Sequence, residues 1–253
     1  MDKNIINKTV KLFLNSEKII FFTGAGISTS CGIPDFRGPD GLYSFAQKKY
    51  NLPYPEAVFD INYFSTNPKP FFELSKDFFS NYIEPSITHK FVAWLEEINK
   101  VSLVMTQNID MLHQRACSKN VCECHGTYTT GHCTKCRKIF TLKEYSDSLE
   151  KGEVFKCFCG GIVKPDIVFF GEQLPRSFFQ AYQNPPDCDL LVVMGTSLSV
   201  QPASSFPLKL VNTCESIIIN LTETDYDRLF TYKIKSNLDD FAKIIQEAMN
   251  KEM

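Results

Sequence analysis

Two pairs of cysteines are the residues whose types and spacing point most directly to metal chemistry. Cys133 and Cys136 flank two residues, and Cys157 and Cys159 flank one residue further along the chain. A separation of roughly twenty residues between two such pairs is near that of ribbon-type sites, in which four thiolates hold one zinc ion. Four thiolates complete the tetrahedral shell and leave no open position for a substrate, so we expect a structural zinc ion.

Other cysteine and histidine residues nearby leave the choice of zinc ligands partly open. The second pair is CxC rather than CxxC, and Cys122 and Cys124 form a competing pair nearby. A mixed set is less favoured, because Cys122 and Cys124 flank a strand-like stretch. His132 stands beside Cys133 and is expected to lie at the surface rather than on the metal.

Small and polar residues follow several buried strand candidates, where core residues would otherwise be expected. The groups are Gly24-Ala25-Gly26, Gln107-Asn108-Ile109-Asp110, Gly195-Thr196-Ser197 and Asn220. In a doubly wound sheet, the ligand crevice lies outside the carboxyl ends of the parallel strands. We therefore expect these four groups to converge on one site.

Gly24 and Gly26 suggest a phosphate contact within that site. They precede Ile27-Ser28-Thr29-Ser30, which can open a helix, and glycines at a positive helix end let a phosphate approach backbone N–H groups. The alternative is an ordinary strand-to-helix turn, since such turns favour glycine. The third glycine of the usual dinucleotide fingerprint is also missing, so the pattern alone is weak.

Short β-branched or aromatic runs alternate with helical patterns, which is typical of an α/β fold with a doubly wound, Rossmann-like parallel sheet. The strand candidates are 18–23, 102–107, 167–170, 190–194 and 216–220. The helix candidates are 71–82, 89–99 and a last helix from about Leu238, with Ser236 and Asp239 spaced as a capping box.

Two stretches interrupt this alternation. The segment from Gly38 to about Pro70 is rich in Pro, Tyr and Phe, and the segment from Gly126 to Lys164 contains the cysteine pairs. We expect them to form a smaller lobe from a helical insertion, 38–80, and a zinc-binding insertion, 126–165. The Rossmann-like domain then comprises 1–37, 81–125 and 166–253.

Composition excludes several functional classes. The 253 residues carry a formal net charge of −2, with Lys and Arg spread along the chain, so direct nucleic-acid binding is not expected. The longest apolar runs, such as Leu190 to Met194, are too short for a membrane span or a signal segment. We expect a soluble intracellular monomer in which ten cysteines indicate metal binding rather than disulfides.

Taken together, seven motifs resemble the sirtuin family. In chain order they are GAGIST at 24–29, GIPDFR at 32–37, TQNID at 106–110, HG at 125–126, the cysteine pairs, KPDIVFFGE at 164–172 and GTSL at 195–198. The chain looks most similar to the eukaryotic cytoplasmic and nuclear branch. The resemblance implies an enzyme that removes acyl groups from protein lysines with NAD as co-substrate. Its products would be nicotinamide, O-acyl-ADP-ribose and free lysine.

The resemblance also implies roles for individual residues. His125 matches the catalytic histidine, and an imidazole suits a base that accepts a ribose hydroxyl proton near neutral pH. Asn108 and Asp110 match residues that orient the ribose and hold the nicotinamide carboxamide, and Gln107 would bond the ribose hydroxyls. His89 and His113 match no motif and are expected in the core.

The remaining implied NAD contacts lie in three places. Asp35, Phe36 and Arg37 match a mobile cofactor loop, for which a buried Asp–Arg pair is an alternative interpretation. The other matches are Ala25, Gly26, Ile27, Ser28 and Thr29, then Ile109, Thr196 and Ser197, and finally Asn220 and Leu238. The family often has an acidic residue two positions after Asn220, where this chain has Thr222.

Val168 and Phe169 match the wall of an acyl-lysine tunnel that pairs with the substrate backbone as an added strand. Family members that remove acidic acyl groups place Tyr and Arg shortly after the GIPDFR-like loop, whereas this chain has no arginine between Arg37 and Arg115. The resemblance therefore implies neutral acyl groups, because an acyl carboxylate would be buried unpaired. Expected partners are acyl-lysine proteins, with histones or cytoskeletal proteins as guesses from the family, in the cytoplasm, the nucleus or both. The alternatives are a sirtuin-like ADP-ribosyltransferase, a non-catalytic NAD sensor and a hydride-transfer dehydrogenase.

Overall fold

The order of helices and strands is that of an α/β protein with inserted segments. The computed structural model describes residues 2–38, 41–79 and 83–253. Its strands are β1 Ile19–Thr23, β2 Val101–Thr106, β3 Val121–Glu123, β4 Gly126–Cys133, β5 Ile139–Thr141, β6 Val163–Ile167, β7 Leu190–Met194, β8 Glu215–Asn220 and β9 Tyr232–Lys235. Its helices are α1 Lys3–Asn15, α2 Leu42–Tyr50, α3 Ile61–Thr66, α4 Lys69–Phe79, α5 Ile87–Glu97, α6 Leu112–Arg115, α7 Leu142–Lys151, α8 Arg176–Gln183, α9 Ser205–Leu210 and α10 Leu238–Glu252.

The larger sheet has six strands in the order β3-β2-β1-β7-β8-β9, and every neighbouring pair is parallel. β1 and β7 are fully buried along their length, as expected for central strands covered by helices on both faces. The predicted doubly wound parallel sheet is therefore confirmed. Four of the five strand candidates coincide with β1, β2, β7 and β8 to within one residue at either end.

The fifth strand candidate, 167–170, was wrong. The strand in this region is β6, which ends at Ile167 and pairs antiparallel with β4 in a separate three-stranded sheet of order β5-β4-β6. A run of apolar residues occurs both in buried strands and in irregular buried segments, so hydrophobicity alone did not distinguish the two structures.

Helices cover the six-stranded sheet on both faces. On one face Phe13 of α1, Phe91 of α5 and Phe241 of α10 are completely buried against the sheet. On the other, Phe178 of α8 and Phe206 of α9 are buried in a second cluster. Burial of one such ring contributes about 1.5 to 3 kcal/mol, so these helices hold the sheet between two apolar layers.

Helix ends differ from their predicted positions. The cap of α10 is Asn237, whose side chain accepts from the N–H groups of Asp239 and Asp240, so the predicted capping box with Ser236 was wrong. The Ser236 hydroxyl instead donates to the Asn237 carbonyl. The helix candidate 89–99 is α5, which begins at Ile87 with Ser86 as its cap. The candidate 71–82 corresponds to α4, and its residues 80–82 lie outside the described residues.

The two inserted stretches share one hydrophobic core. Phe59, Phe64 and Phe71 from the first pack with Tyr128 and Tyr145 from the second. The three-stranded sheet and α7 thus lie against α2 to α4. This packing agrees with a smaller lobe, while its predicted bounds at 38–80 and 126–165 stay a prediction. Within the described part of the chain, no helix combines the length and apolar character needed to cross a membrane.

Candidate functional site

Hydrogen bonds tie the four polar groups at the strand ends to one another. The N–H of Gly26 donates to the Gly195 carbonyl at 2.9 Å, and the Gln107 amide donates to the Thr196 hydroxyl at 2.8 Å. Asn220 completes the set, because its side-chain oxygen accepts from the Thr196 N–H at 3.1 Å and its amide donates to the Thr196 carbonyl at 3.0 Å. The predicted convergence is confirmed.

Two glycines are required by the close packing of these strand ends. A Cβ on Gly26 would lie 2.6 Å from the Cα of Gly195, and Gly195 has a φ of 63°. A contact that short cannot relax by a side-chain rotation, because the Cβ is fixed to its own Cα and the Gly195 Cα belongs to the backbone. The chain after Gly24 forms two short 3-10 turns, Ala25–Ile27 and Thr29–Cys31, so the expected opening of a helix there was wrong.

Asn108, Ser28 and Asp110 form a hydrogen-bonded chain across the site. The Asn108 amide donates to the Ser28 hydroxyl at 3.1 Å, and that hydroxyl donates to an Asp110 carboxylate oxygen at 2.7 Å. The other Asp110 oxygen accepts from the Leu112 N–H at 2.9 Å. Since Ser28 and Asn108 are both buried, this chain fixes the orientation of the amide and the carboxylate.

His125 follows β3 and is held by backbone contacts. Its Nδ1 lies 2.7 Å from the carbonyl oxygen of Gln107. A carbonyl oxygen can only accept, so Nδ1 carries the proton and Nε2 presents its lone pair. Burial lowers the pKa of His125, the Gln107 carbonyl raises it, and the positive charge of Arg37 lowers it further. The imidazole is therefore neutral at pH 7.

The loop that contains Asp35, Phe36 and Arg37 is anchored at both ends. Asp35 accepts from the N–H of Gly38 at 2.7 Å, and the Phe36 ring lies 5.4 Å from that of Tyr43. The Arg37 guanidinium lies over the same Tyr43 ring at 5.6 Å. Among the described residues Asp35 and Arg37 form no ion pair, so the alternative of an Asp–Arg pair is wrong.

A cavity joins these features. Six predicted site residues line it, namely Ala25, Ser28, Phe36, Asn108, Ile109 and Asp110. Sequence reasoning missed other lining residues, among them Ile33, Pro34, Leu42, Phe59, Met111 and Tyr128. Ile33 and Pro34 fall inside the GIPDFR motif and Met111 directly follows TQNID, so extending each motif to its whole loop would have found three of them.

The remaining predicted residues, His125 among them, are not part of the described lining of this cavity. The hydroxyl of Ser197 bonds to that of Ser199 at 2.9 Å, and Thr29 is exposed. Leu238 is buried at the start of α10 within the core. Thr222 is exposed after Asn220.

The segment after β6 connects the two lobes. The Val168 N–H donates to the His125 carbonyl at 2.7 Å, and the Phe170 N–H donates to the Phe59 carbonyl at 2.7 Å. The Phe169 N–H donates to Glu172 at 2.9 Å. All three N–H groups are therefore occupied. Val168 is half-buried, while the Phe169 side chain is buried among core aromatic rings.

The side chain of a buried lysine stabilises the segment after β6. Lys164 is 2 % exposed, and its Nζ contacts a Glu172 carboxylate oxygen at 2.8 Å and donates to the Ile167 carbonyl at 2.7 Å. The ammonium also lies 4.2 Å from the centre of the Phe169 ring. Burial lowers the pKa of Lys164, and the hydrogen bond to Glu172 raises it. The pair shapes the turn that follows β6.

The four predicted metal ligands come together. The Sγ atoms of Cys133, Cys136, Cys157 and Cys159 all lie within 4.8 Å of one another. Cys133 and Cys159 are 3.4 Å apart, and Cys136 and Cys157 are 3.7 Å apart. A tetrahedral zinc with Zn–S bonds of about 2.3 Å needs sulfur separations of about 3.8 Å, so the quartet fits that ion.

Backbone groups favour the thiolate form of Cys133. The N–H groups of Lys135 and Cys136 both donate to the sulfur of Cys133 at 3.4 Å. The hydrogen bond from Cys136 is the main cause that lowers the pKa of Cys133 to about 6. Cys122 and Cys124 are excluded as zinc ligands, because both are buried in the core of the large sheet. His132 is bound through Nδ1 to Asp166 and takes no part in the quartet.

His89 and His113 lie in the core, as predicted. Both are almost completely buried, with ring centres 4.8 Å apart. His113 Nε2 lies 3.0 Å from the Thr23 hydroxyl, and His89 Nδ1 lies 2.7 Å from the Ser86 hydroxyl. These contacts hold α5 and α6 against β1.

Curated relatives match most of the chain. The NAD-dependent protein deacetylase sirtuin-2 of Danio rerio is 42% identical over 233 residues, which cover 88% of this chain and 61% of that protein. The NAD-dependent deacetylase sir2D of Dictyostelium discoideum is 40% identical over 258 residues, covering 99% of this chain and 47% of that protein. The chain thus spans about half to three-fifths of these relatives.

Solved structures agree with the fold across the whole chain. A structure from work on the mechanism and regulation of Sir2 enzymes is 38% identical, with a TM-score of 0.89, and covers 100% of both chains. A structure of Sir2 with a p53 peptide and NAD+ is 36% identical, with a TM-score of 0.83, covering 97% of this chain and 99% of that one. Residues 24–202 also match the Sir2 family, and this chain belongs to that family.

Proposed function

We propose that this chain is an NAD-dependent deacylase of acyl-lysine in proteins, releasing nicotinamide, O-acyl-ADP-ribose and free lysine. The observation that carries the proposal is the state of His125. Its Nδ1 is committed to the carbonyl of Gln107, the residue that precedes the cavity-lining Asn108, and this leaves Nε2 as a neutral proton acceptor. The names of the relatives and the Sir2 complex with peptide and NAD+ support the same reaction.

The strand-end groups suit the recognition of NAD. We infer that the diphosphate lies against residues 25–29 and that Thr196 and Ser197 donate hydroxyls to it, with Ile27 and Ile109 as apolar contacts. Asn220 is assigned to the adenosine ribose and Leu238 to the edge of the adenine. Asn220 is already oriented by Thr196, so little side-chain entropy remains to be lost when it binds.

Catalysis is assigned to His125 and Asn108. When bound, NAD supplies a ribose carbon whose bond to nicotinamide breaks as the acyl oxygen attacks. His125 accepts the proton of a ribose hydroxyl at Nε2 and returns it later. Asn108 and Asp110 orient the ribose and the carboxamide, a task for which the link through Ser28 holds them at fixed angles.

The cofactor loop is assigned to water exclusion. Phe36 lines the cavity and lies 6.2 Å from the Phe59 ring, so its ring can cover the ribose face. Arg37 is assigned to the phosphates or to the loop itself, and Asp35 fixes the turn that presents both. Gln107 bonds the ribose hydroxyls.

The acyl-lysine is assigned to the segment at Val168 and Phe169. The N–H groups there are used within the protein, so a substrate strand has to pair through carbonyl groups. A neutral acyl group is expected, since the described cavity lining is mainly apolar. Among the described lining residues the cation is Arg115, which donates to the Ile83 carbonyl at 3.3 Å.

The quartet of cysteines is assigned a structural role. Four thiolates leave no position for a substrate, and the zinc they hold stabilises the smaller lobe.

The test is mass spectrometry of an acetyl-lysine peptide incubated with the protein, with and without NAD, beside a His125→Ala variant. Loss of acetyl that requires NAD, with release of nicotinamide and O-acetyl-ADP-ribose and its absence in the variant, supports the proposal. An intact peptide with ADP-ribose attached to protein would favour the transferase alternative. A succinyl-lysine peptide that reacts faster than the acetyl peptide would refute the neutral-acyl assignment.

A further inference from the structure

Cys188 and Cys214 form a second thiol pair. They lie at the amino ends of their strands, whereas the candidate active site lies at the carboxyl ends. Cys188 lies two residues before β7, and Cys214 directly precedes β8. The candidate site residues Thr196 and Asn220 lie at the carboxyl ends of the same two strands. The Sγ atoms of Cys188 and Cys214 are 3.5 Å apart, although the residues are 26 positions apart in sequence.

Strand pairing holds the two cysteines next to each other. β7 and β8 are parallel neighbours in which Leu190 faces Glu215, and adjacent strands lie about 4.8 Å apart. Extending that register sets Cys188 opposite residue 213, one position from Cys214. The strand spacing with one residue of offset corresponds to a Cα separation of about 6 Å, within the about 4.4 to 6.8 Å that a disulfide requires. A covalent bond needs the sulfurs to approach from 3.5 Å to about 2.05 Å, a movement of side chains rather than of strands.

The surroundings of the pair favour exchange chemistry. Both side chains are half-buried against the core that covers this face of the sheet, so each remains within reach of a small thiol reagent. The hydrogen bond between the two thiols lowers the pKa of Cys214 to about 7, and the same bond together with burial raises the pKa of Cys188. Cys214 is therefore the better nucleophile at neutral pH, and Cys188 is the resolving thiol.

We propose that Cys188 and Cys214 are a reversible redox modification site, which forms a disulfide by exchange with a low-molecular-weight disulfide such as glutathione disulfide. The Cys214 thiolate attacks one sulfur of glutathione disulfide, that S–S bond breaks, and one glutathione leaves. Cys188 loses its proton to solvent and attacks the Cys214 sulfur of the mixed disulfide, releasing the second glutathione. Two protein thiols are oxidised and one disulfide is reduced to two thiols.

The bond closes a loop of 26 residues and ties the amino ends of β7 and β8 together. Its direct effect is on stability, because β7 places about 16 Å between the thiol pair and the candidate active site. The proposed redox site does not depend on the proposed deacylase activity.

The test uses the zinc-loaded protein in glutathione buffers of graded oxidation, blocked with N-ethylmaleimide and digested with trypsin without reductant. Cleavage after Arg176, Lys209 and Arg228 places Cys188 in peptide 177–209 and Cys214 in peptide 210–228, each with no other cysteine. The expected product is these two peptides joined, two hydrogen atoms lighter than their sum and separated by dithiothreitol. The oxidised protein should melt about 5 to 10 °C higher than the reduced protein.

Two serine variants distinguish the attacking thiol from the resolving thiol. Cys188→Ser should keep glutathione on Cys214, because no resolving thiol remains, while Cys214→Ser should react about tenfold more slowly at neutral pH. Cys117→Ser, at an exposed cysteine, should leave the joined peptides unchanged. Separate alkylated peptides from the wild type at every glutathione ratio, or a glutathione adduct on wild-type Cys214 without the joined pair, would overturn the proposal. That wild-type measurement does not require either variant to fold.

Discussion

His125 Nδ1 lies 2.7 Å from the backbone carbonyl of Gln107, the first residue of the polar group that follows β2. One backbone oxygen thus selects the tautomer of the candidate base. Because the same histidine accepts the Val168 N–H at its own carbonyl, consecutive hydrogen bonds join Gln107, the candidate base and the segment after β6.

The first prediction is a pH profile. Burial lowers the pKa of His125 below its usual 6.5, and the neutral ring is the active form. Deacylation measured as kcat/KM should therefore be flat above pH 7 and be lost as pH falls through a midpoint below 6.5. A midpoint above 6.5, on a peptide with no ionisable group in that range, would contradict the assignment.

The second prediction concerns Ser28. The change Ser28→Ala leaves the Asn108 amide and one Asp110 oxygen without their shared partner, at a cost of about 1 to 3 kcal/mol. We expect kcat/KM for NAD to fall by roughly 5-fold to 150-fold, by the usual conversion of that energy. Ser65→Ala, which removes an exposed hydroxyl bonded to Asn62, is the matched control and should leave kcat/KM unaltered.

The third prediction tests the glycine contact at the strand ends. Gly26→Ala places a Cβ 2.6 Å from the Gly195 Cα and should destabilise the fold by roughly 1 to 3 kcal/mol, visible as a lower melting temperature. Gly32→Asn is the control, since Gly32 has no atom within 4 Å of its Cβ position and asparagine tolerates its φ of 84°. Equal melting temperatures for the two variants would show that the close approach is not rigid.

The fourth prediction concerns the buried lysine. Lys164→Met keeps the apolar stem but removes the contacts to Glu172 and the Ile167 carbonyl, at about 1 to 3 kcal/mol of unfolding free energy. KM for the acyl peptide should rise more than KM for NAD, because the segment at Val168 loses its support. Lys69→Met breaks an exposed i,i+4 pair with Glu73 and should change neither value. An unchanged KM for the peptide would count against the support role.

The fifth prediction is metal dependence. The protein should bind one zinc ion per chain, and Cys136→Ser or a strong chelator should release it and loosen the smaller lobe, seen as lost near-ultraviolet circular dichroism. Cys122→Ser tests the competing pair and should retain the full zinc content. Chelated protein with an unchanged spectrum would mean that the quartet holds no structural ion.

Some features follow from local sequence because few residues decide them. The spacing within each pair of metal ligands is one example, because each pair lies in a short turn, while the pairing of β4 with β6 brings the two pairs together. The convergence of Gly26, Gln107, Thr196 and Asn220 is another, because residues at the carboxyl ends of adjacent parallel strands meet at the same edge.

Other features depended on contacts between distant segments. Ser236 and Asn237 are both good capping residues, and the path of the chain from β9 selected Asn237. The run at 167–170 is apolar in either a strand or a connecting segment, and pairing with β4 decided that the strand ends at Ile167. The tautomer of His125, the link from Ser28 to Asp110 and the contact between Cys188 and Cys214 join residues 18 to 82 positions apart. Local sequence determines which groups are available and which strands form. Only the folded chain decides which donor meets which acceptor, because that depends on distances and angles between elements that the sequence pattern does not contain.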